Sequence, residues 1–191
     1  MLDFLKNGKG EILNLMFLNP DKKYYLAEIA KILGKESSAY QKHVESFIEG
    51  GIFCDQRIGN MRFFWLNKDY QLYNEIKNII SKTIGVEAQL KTLLKEINSV
   101  EIAFIFGSFA ADKFNSNSDL DLFMIGEENQ NAIIKHITKL ELEIGRSINY
   151  HIYSKKEVFD KIDIKNDFIN NIFNRKIILL KGNINEFKKS R

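Results

Sequence analysis

Gly107-Ser108 and Asp119-Leu120-Asp121 are where residue type and spacing in this sequence could do chemistry. Gly107-Ser108 follows an apolar β-type run, Val100 to Phe106, and opens a short helical segment. A glycine at such a junction lets a ligand approach the backbone closely, and a helix start leaves N–H groups without carbonyl partners. With the Ser108 hydroxyl, these donors make a cradle for phosphate. Ten residues separate Ser108 from Asp119. On a strand, residues two apart share a face, so Asp119 and Asp121 point one way while Leu120 enters the core. Two adjacent carboxylates repel unless something positive lies between them. Magnesium, which takes carboxylate oxygens together with nucleotide phosphates, is the natural solution. Cys54 stands alone, which excludes a disulfide framework and a cysteine-based metal site, and its thiol in IFCDQ reads as strand packing. His136 and His151 form no metal-ligand spacing with it.

These residues need a sheet to hold them, and residues 99–191 alternate accordingly. Val100 to Phe106 and Leu120 to Ile125 read as strands, residues 129–143 as a helix with Ile133, Ile134, Ile137 and Leu140 inward, and Ser147 to Tyr153 as a third strand. Helices around 155–161 and 165–174 precede a last strand, Lys176 to Leu180. The expected class is α+β, with helices flanking one mixed sheet. Upstream, residues 69–98 carry apolar stripes (Tyr70, Leu72, Tyr73, Ile76, Ile79, Ile80, then Leu90, Leu93, Leu94, Ile97) and read as a helical connector. An exposed part of that stripe offers a surface for a homodimer.

Residues 1–68 read as three helices and a hairpin. Ile12, Leu15, Met16 and Leu18 recur at helical spacing until Asn19-Pro20-Asp21. Leu26, Ile29, Ala30 and Leu33 repeat the stripe, with Gly34 as its stop. Ser37 or Ser38 caps a third helix carrying Tyr40, Val44, Phe47 and Ile48. IFCDQ and MRFFWLN are β-type runs either side of Arg57-Ile58-Gly59-Asn60, a hairpin signal. This order, with the phrase EIAKILG, resembles a winged helix-turn-helix over residues 9–67. The resemblance implies double-stranded DNA as partner, with the third helix in the major groove and the hairpin along the backbone. Ser38, Tyr40, Gln41 and Lys42 on the helix, and Arg57, Asn60 and Arg62 on the wing, are the expected contacts.

Gly107-Ser108, ten residues, then Asp119-x-Asp121 resembles the signature of the DNA polymerase β-like nucleotidyltransferase superfamily, over about residues 86–182. It is most similar to the minimal nucleotidyltransferases, some of which act as antitoxins. The resemblance implies that Gly107 and Ser108 hold the triphosphate of ATP or another nucleoside triphosphate. It implies that Asp119 and Asp121 bind two magnesium ions for an in-line displacement at the α-phosphate. The family's third acid falls at Asn149 in IGRSINYHIY. An amide can ligate a metal but cannot take a proton, and His151, two residues on, is the candidate substitute base. Many relatives have Arg-Gly after Gly-Ser-x-Ala. Here Ala111-Asp112 stands instead, with Arg146 as the candidate to compensate.

Three readings remain open on the sequence: a DNA-binding regulator whose second domain transfers a nucleotide, most readily AMP from ATP, to a hydroxyl on a protein or small molecule; a degenerate transferase that regulates transcription by binding only, sensing nucleotide or mediating assembly; or an antitoxin that neutralises a neighbouring toxin by modification or simple binding while the winged helix represses its own operon. Net charge is +3, split +2 over residues 1–83 and +1 over 84–191, so any nucleic-acid contact must come from local arrangement. A chain 45% hydrophobic and 28% charged excludes a wholly disordered protein. No apolar run approaches the roughly 18 residues of a membrane span. The opening MLDFLKNGKG lacks a secretory pattern, so the expected location is cytoplasmic.

Overall fold

The computed structural model describes residues 5, 6, 8–115, 118–126, 130–185 and 187. The first four residues of the opening read for a leader lie outside these. The chain divides into two compact units, Met1–Ala88 and Gln89–Arg191. Residues 69–98 are shared between them.

The first unit runs α1 (Lys9–Leu18), β1 (Tyr24–Tyr25), α2 (Leu26–Leu33), α3 (Ser37–Glu49), β2 (Phe53–Ile58), β3 (Met61–Leu66) and α4 (Tyr73–Thr83). The three helices and the hairpin fall where the apolar stripes place them. Gly34, at φ 68°, adopts the left-handed conformation that ends α2, as a glycine does at low cost. β2 and β3 pair antiparallel and turn at Gly59-Asn60, with Gly59 at φ 59°. The sequence reading missed β1. Its two residues pair with Phe63 and Phe64, giving a sheet of order β1-β3-β2. A two-residue bridge has no alternation of its own to betray it. The core gathers Ile12, Met16, Ile29, Val44, Phe47, Phe53 and Phe64. Tyr73 of α4 packs its ring 5.3 Å from that of Phe17.

The second unit contains most of α5 (Val86–Glu96), followed by β4 (Val100–Phe106), α6 (Gly107–Ala110), β5 (Leu120–Gly126), α7 (Gln130–Ile144), β6 (Ile148–Tyr153), α8 (Lys155–Asp163), α9 (Asp167–Asn174) and β7 (Ile178–Lys181). The expected α+β class is observed. The sheet order is β6-β5-β4-β7, with β5 parallel to β6 and the other pairs antiparallel. One sheet face carries an aromatic core. Phe104 and Phe123 stack at 5.1 Å, and Phe173 meets both edge-on. Residues of alternate parity, Ile105, Leu122 and Met124, are equally buried on the other face. Both helices that close over the aromatic face are capped by local sequence. Ser154 and Glu157 form a reciprocal capping box on α8, and Asn166 Oδ1 accepts from the Ile169 N–H on α9. Lys181 Nζ donates to the carbonyls of Leu94 (2.8 Å) and Ile97 (2.9 Å), tying β7 to the C-terminal end of α5.

Candidate active site

The strand register brings the distant chemistry together. Asp121 lies opposite Phe106 on β4 and opposite Asn149 on β6. Register partners share a face, so Phe106, Asp121 and Asn149 form one row across the end of the sheet. Asn149 Nδ2 donates to Asp121 Oδ1 at 3.2 Å. Gly107 follows Phe106 directly. A Cβ at Gly107 would stand 2.0 Å from Asp121 Oδ2 and 2.9 Å from its Cγ, and the residue has φ 68°. The glycine is therefore required twice over, by its backbone conformation and by the carboxylate packed against its Cα. Ser108 sits in the first turn of α6, a single turn of helix whose Ser108 carbonyl accepts from the Lys113 N–H at 2.9 Å. Asp119 is exposed and precedes β5, which begins at Leu120.

Ser118 and Leu120, either side of Asp119, are braced from the turn that precedes β6. Arg146 donates from Nη1 to the Ser118 carbonyl at 3.2 Å, and its guanidinium lies 5.1 Å from the Phe114 ring centre. The Leu120 N–H donates to the Ser147 carbonyl at 3.0 Å. Arg146 thus supports the loop carrying Asp119, a direction the sequence left unreadable. The Asp112 charge is offset by an ion pair with Lys176. Sequence reasoning missed Lys176, because only the antiparallel β4–β7 pairing carries it across 64 residues to this end of the sheet. His151 faces Phe123 in register and is half-buried, its ring 4.8 Å from Phe168 and 6.1 Å from Phe106.

Two carboxylates and one amide suit magnesium, which keeps several waters and shares its sites with phosphate oxygens. Among the described residues no three His, Cys, Asp or Glu gather into a cage of their own. The donor chemistry fits an ion brought with a polyphosphate, which Asp119 and Asp121 would hold.

On the first unit, two expected DNA contacts need correction. Tyr40 is fully buried rather than displayed. Its hydroxyl donates to Glu11 Oε2 at 2.5 Å, and Lys35 Nζ holds the same carboxylate at 2.7 and 2.8 Å. Lys35 and Tyr40 together hold the Glu11 carboxyl below its ordinary range, and burial followed by Glu11 pushes the Tyr40 phenol up. The second is Arg62, which is not a free wing cation. Its Nε donates to Asp55 at 2.5 Å and its Nη1 to Glu45 at 2.6 Å. Ser38, Gln41, Lys42, Arg57 and Asn60 are exposed.

Residues 87–178 match the family model of the nucleotidyltransferase domain. The match spans just under half of the chain and contains β4, α6, β5 and β6 with the whole Asp121 row. No curated protein matches the sequence. Among solved structures, the chain is similar to a toxin-antitoxin with AMP-PNP, at 15% identity and a TM-score of 0.38, covering 55% of this chain and 79% of that one. It is similar also to the tri-AMPylated HEPN toxin of Shewanella oneidensis in complex with MNT antitoxin, at 14% identity and a TM-score of 0.34, covering 55% of this chain and 76% of that one. Likenesses this loose carry no functional argument. Among the described residues, no helix is long and apolar enough to cross a membrane.

Proposed function

We propose that the second unit binds a nucleoside triphosphate with magnesium at the Gly107–Asp121–Asn149 end of its sheet and transfers the nucleotidyl group, most readily AMP from ATP, to a hydroxyl acceptor. The observation that carries this reading is the Asp121 carboxylate seated on Gly107 within the segment that matches the nucleotidyltransferase model. Magnesium, when bound, supplies positive charge that neutralises the phosphates. The chain's own residues do the rest. Asp119 and Asp121 hold the cation, and Asn149 fixes the orientation of the Asp121 carboxylate. Backbone donors around Gly107 and the Ser108 hydroxyl meet the phosphate oxygens. The acceptor oxygen bonds to the α-phosphorus, the bond to the β-phosphate oxygen breaks, and pyrophosphate leaves. Asn149 has no basic atom for the acceptor proton, so that proton passes to water, and turnover is slow.

That same neutral side chain favours a second reading, in which the domain binds nucleotide or a partner toxin without turnover. Incubating the protein with labelled ATP, GTP, CTP or UTP, magnesium or manganese, and a cell lysate separates the two. A labelled acceptor that disappears in Asp121→Ala supports transfer. No labelled acceptor with any nucleotide, despite nucleotide binding, leaves the binding-only reading.

We propose in addition that the first unit is a winged helix that binds duplex DNA. Supporting this are the order α1-β1-α2-α3-β2-β3, the β1-β3-β2 sheet, and the exposure of Gln41 and Lys42 on α3 and of Arg57 and Asn60 at the hairpin. A gel shift on the chain's own upstream region tests it. Absence of a shift at low salt would leave the unit as a protein-interaction module.

A further inference from the structure

We infer that Phe168, with His151 and Phe106, forms the shelf on which the base of the bound nucleotide stacks. The inference rests on the nucleotide reading of the Asp121 row and adds to it a base-recognition surface. Phe106, Asp121 and Asn149 occupy one level of the sheet face, and Phe104, Phe123 and His151 the next level inward. Phe168 reaches across from α9. Its ring lies 6.3 Å from Phe106 and 4.8 Å from His151, while Phe106 and His151 are 6.1 Å apart. Phe106 belongs to the Asp121 row on β4 and His151 to the next row on β6. A ring that meets both therefore stands over the face beside the Asp121 carboxylate.

Three features separate this cluster from ordinary core packing. Phe168 is 37% exposed, whereas Phe104 and Phe123 beneath it are fully buried. The position of Phe168 is fixed: it is the second residue of α9, behind the Asn166 cap, and Ile169, Ile172 and Phe173 anchor the helix in the core. Stacking a ligand on it therefore orders little. His151 is half-buried in the same cluster, and no described residue hydrogen-bonds its ring nitrogens. An imidazole offers one donor and one acceptor, enough to read the polar edge of a heterocycle. A flat aromatic surface with a polar edge, next to carboxylates placed for a magnesium polyphosphate, matches a nucleobase. A purine, with two fused rings, covers the shelf better than a pyrimidine does.

Titration calorimetry on the full chain with magnesium tests this, using a non-hydrolysable ATP analogue and inorganic tripolyphosphate as the two probes. Stacking on an aromatic side chain predicts that the wild type binds the analogue about 5- to 150-fold more tightly than tripolyphosphate. Phe168→Ala removes most of that preference and leaves tripolyphosphate affinity within about twofold of wild type. Phe168→Leu, which keeps apolar bulk for folding, behaves the same way, and Phe168→Trp keeps the preference. Equal affinity of the wild type for the two probes overturns the shelf while the phosphate site stands, as does an undiminished preference in both Phe168→Ala and Phe168→Leu. If neither probe binds, the nucleotide reading of the site itself fails and takes the shelf with it.

Discussion

Substituting Gly107 by alanine isolates the contact on which the site depends. Two costs follow from the structure. At φ 68° an alanine suffers the left-handed backbone penalty, about 1–2 kcal/mol. The new methyl carbon would also lie 2.0 Å from Asp121 Oδ2, so the carboxylate must swing away and release the Asn149 amide. This hydrogen bond is solvent-exposed, so its loss costs toward the lower end of about 0.5–1.5 kcal/mol. Together these predict a loss of about 2–3 kcal/mol, or roughly 4–12 °C in the melting temperature of a chain this size. Gly145→Ala is the matched control. Gly145 belongs to the same unit, has φ 64°, and nothing lies within 4 Å of its added Cβ, so this variant carries the backbone penalty alone. Urea unfolding and magnesium-nucleotide titration of both variants complete the comparison. Gly107→Ala should be the less stable by about 1 kcal/mol and should bind nucleotide at least tenfold more weakly, about the loss of one charge-ligand interaction. If the two variants are equally stable and bind nucleotide as the wild type does, Gly107 is not the seat of Asp121 and the geometric argument fails.

Asn149→Asp sets a second carboxylate in register with Asp121. It should destabilise the metal-free protein, gain more melting temperature from magnesium than the wild type gains, and raise any transferase rate by about 10²–10⁴-fold through general-base assistance. No rate gain in a folded, nucleotide-binding variant would place the proton acceptor elsewhere. In the first unit, Glu11 has a depressed carboxyl pKa and Tyr40 a raised phenol pKa. Glu11 therefore contributes stability above its unfolded pKa that is lost as pH falls through its folded one. Tyr40 contributes stability below the ordinary phenol pKa that is lost as pH rises beyond it. Melting temperature followed against pH should show both limbs, and Tyr40→Phe should shallow both, the buried Tyr73 phenol, whose pKa is also raised, keeping part of the alkaline one. An unchanged profile in Tyr40→Phe would contradict the Glu11–Tyr40 hydrogen bond. For DNA, Arg57→Ala should reduce the salt slope of binding by about one unit. Arg62→Ala should leave the slope nearly unchanged and cost roughly 0.5–2 kcal/mol of stability through two lost ion pairs. Equal salt-slope effects would mean that Arg62 leaves Asp55 and Glu45 to reach phosphate.

What could be read from the sequence, and what could not, follows the range of the forces involved. The position of Gly107 at the end of β4 and of Asp121 on β5 was legible because strand parity and a strand-to-helix turn are local. Asn149 was legible only through the resemblance, and the structure then sets it opposite Asp121 in register. Tyr40 was ambiguous on its own helix, since it belongs to the apolar stripe with Val44 and Phe47 and also bears a polar hydroxyl. Glu11, on another helix, satisfies that hydroxyl and lets the core keep it. Arg62 drew its partners from across the hairpin and from α3, and Lys176 met Asp112 through strand pairing. Such pairs leave no periodic trace. Phe168 is the clearest case: its helix was foreseen, but its neighbours Phe106 and His151 come from β4 and β6, and only the assembled sheet brings the three rings together.

In the proposed site, Asp119 and Asp121 make nucleotide binding depend on magnesium. Calorimetry with a non-hydrolysable ATP analogue, with and without magnesium, tests it on the wild type and on the double variant Asp119→Ala/Asp121→Ala. Tight binding is expected only for the wild type with magnesium, with the magnesium effect lost in the variant. Equal affinity of wild type and variant in the presence of magnesium would contradict it.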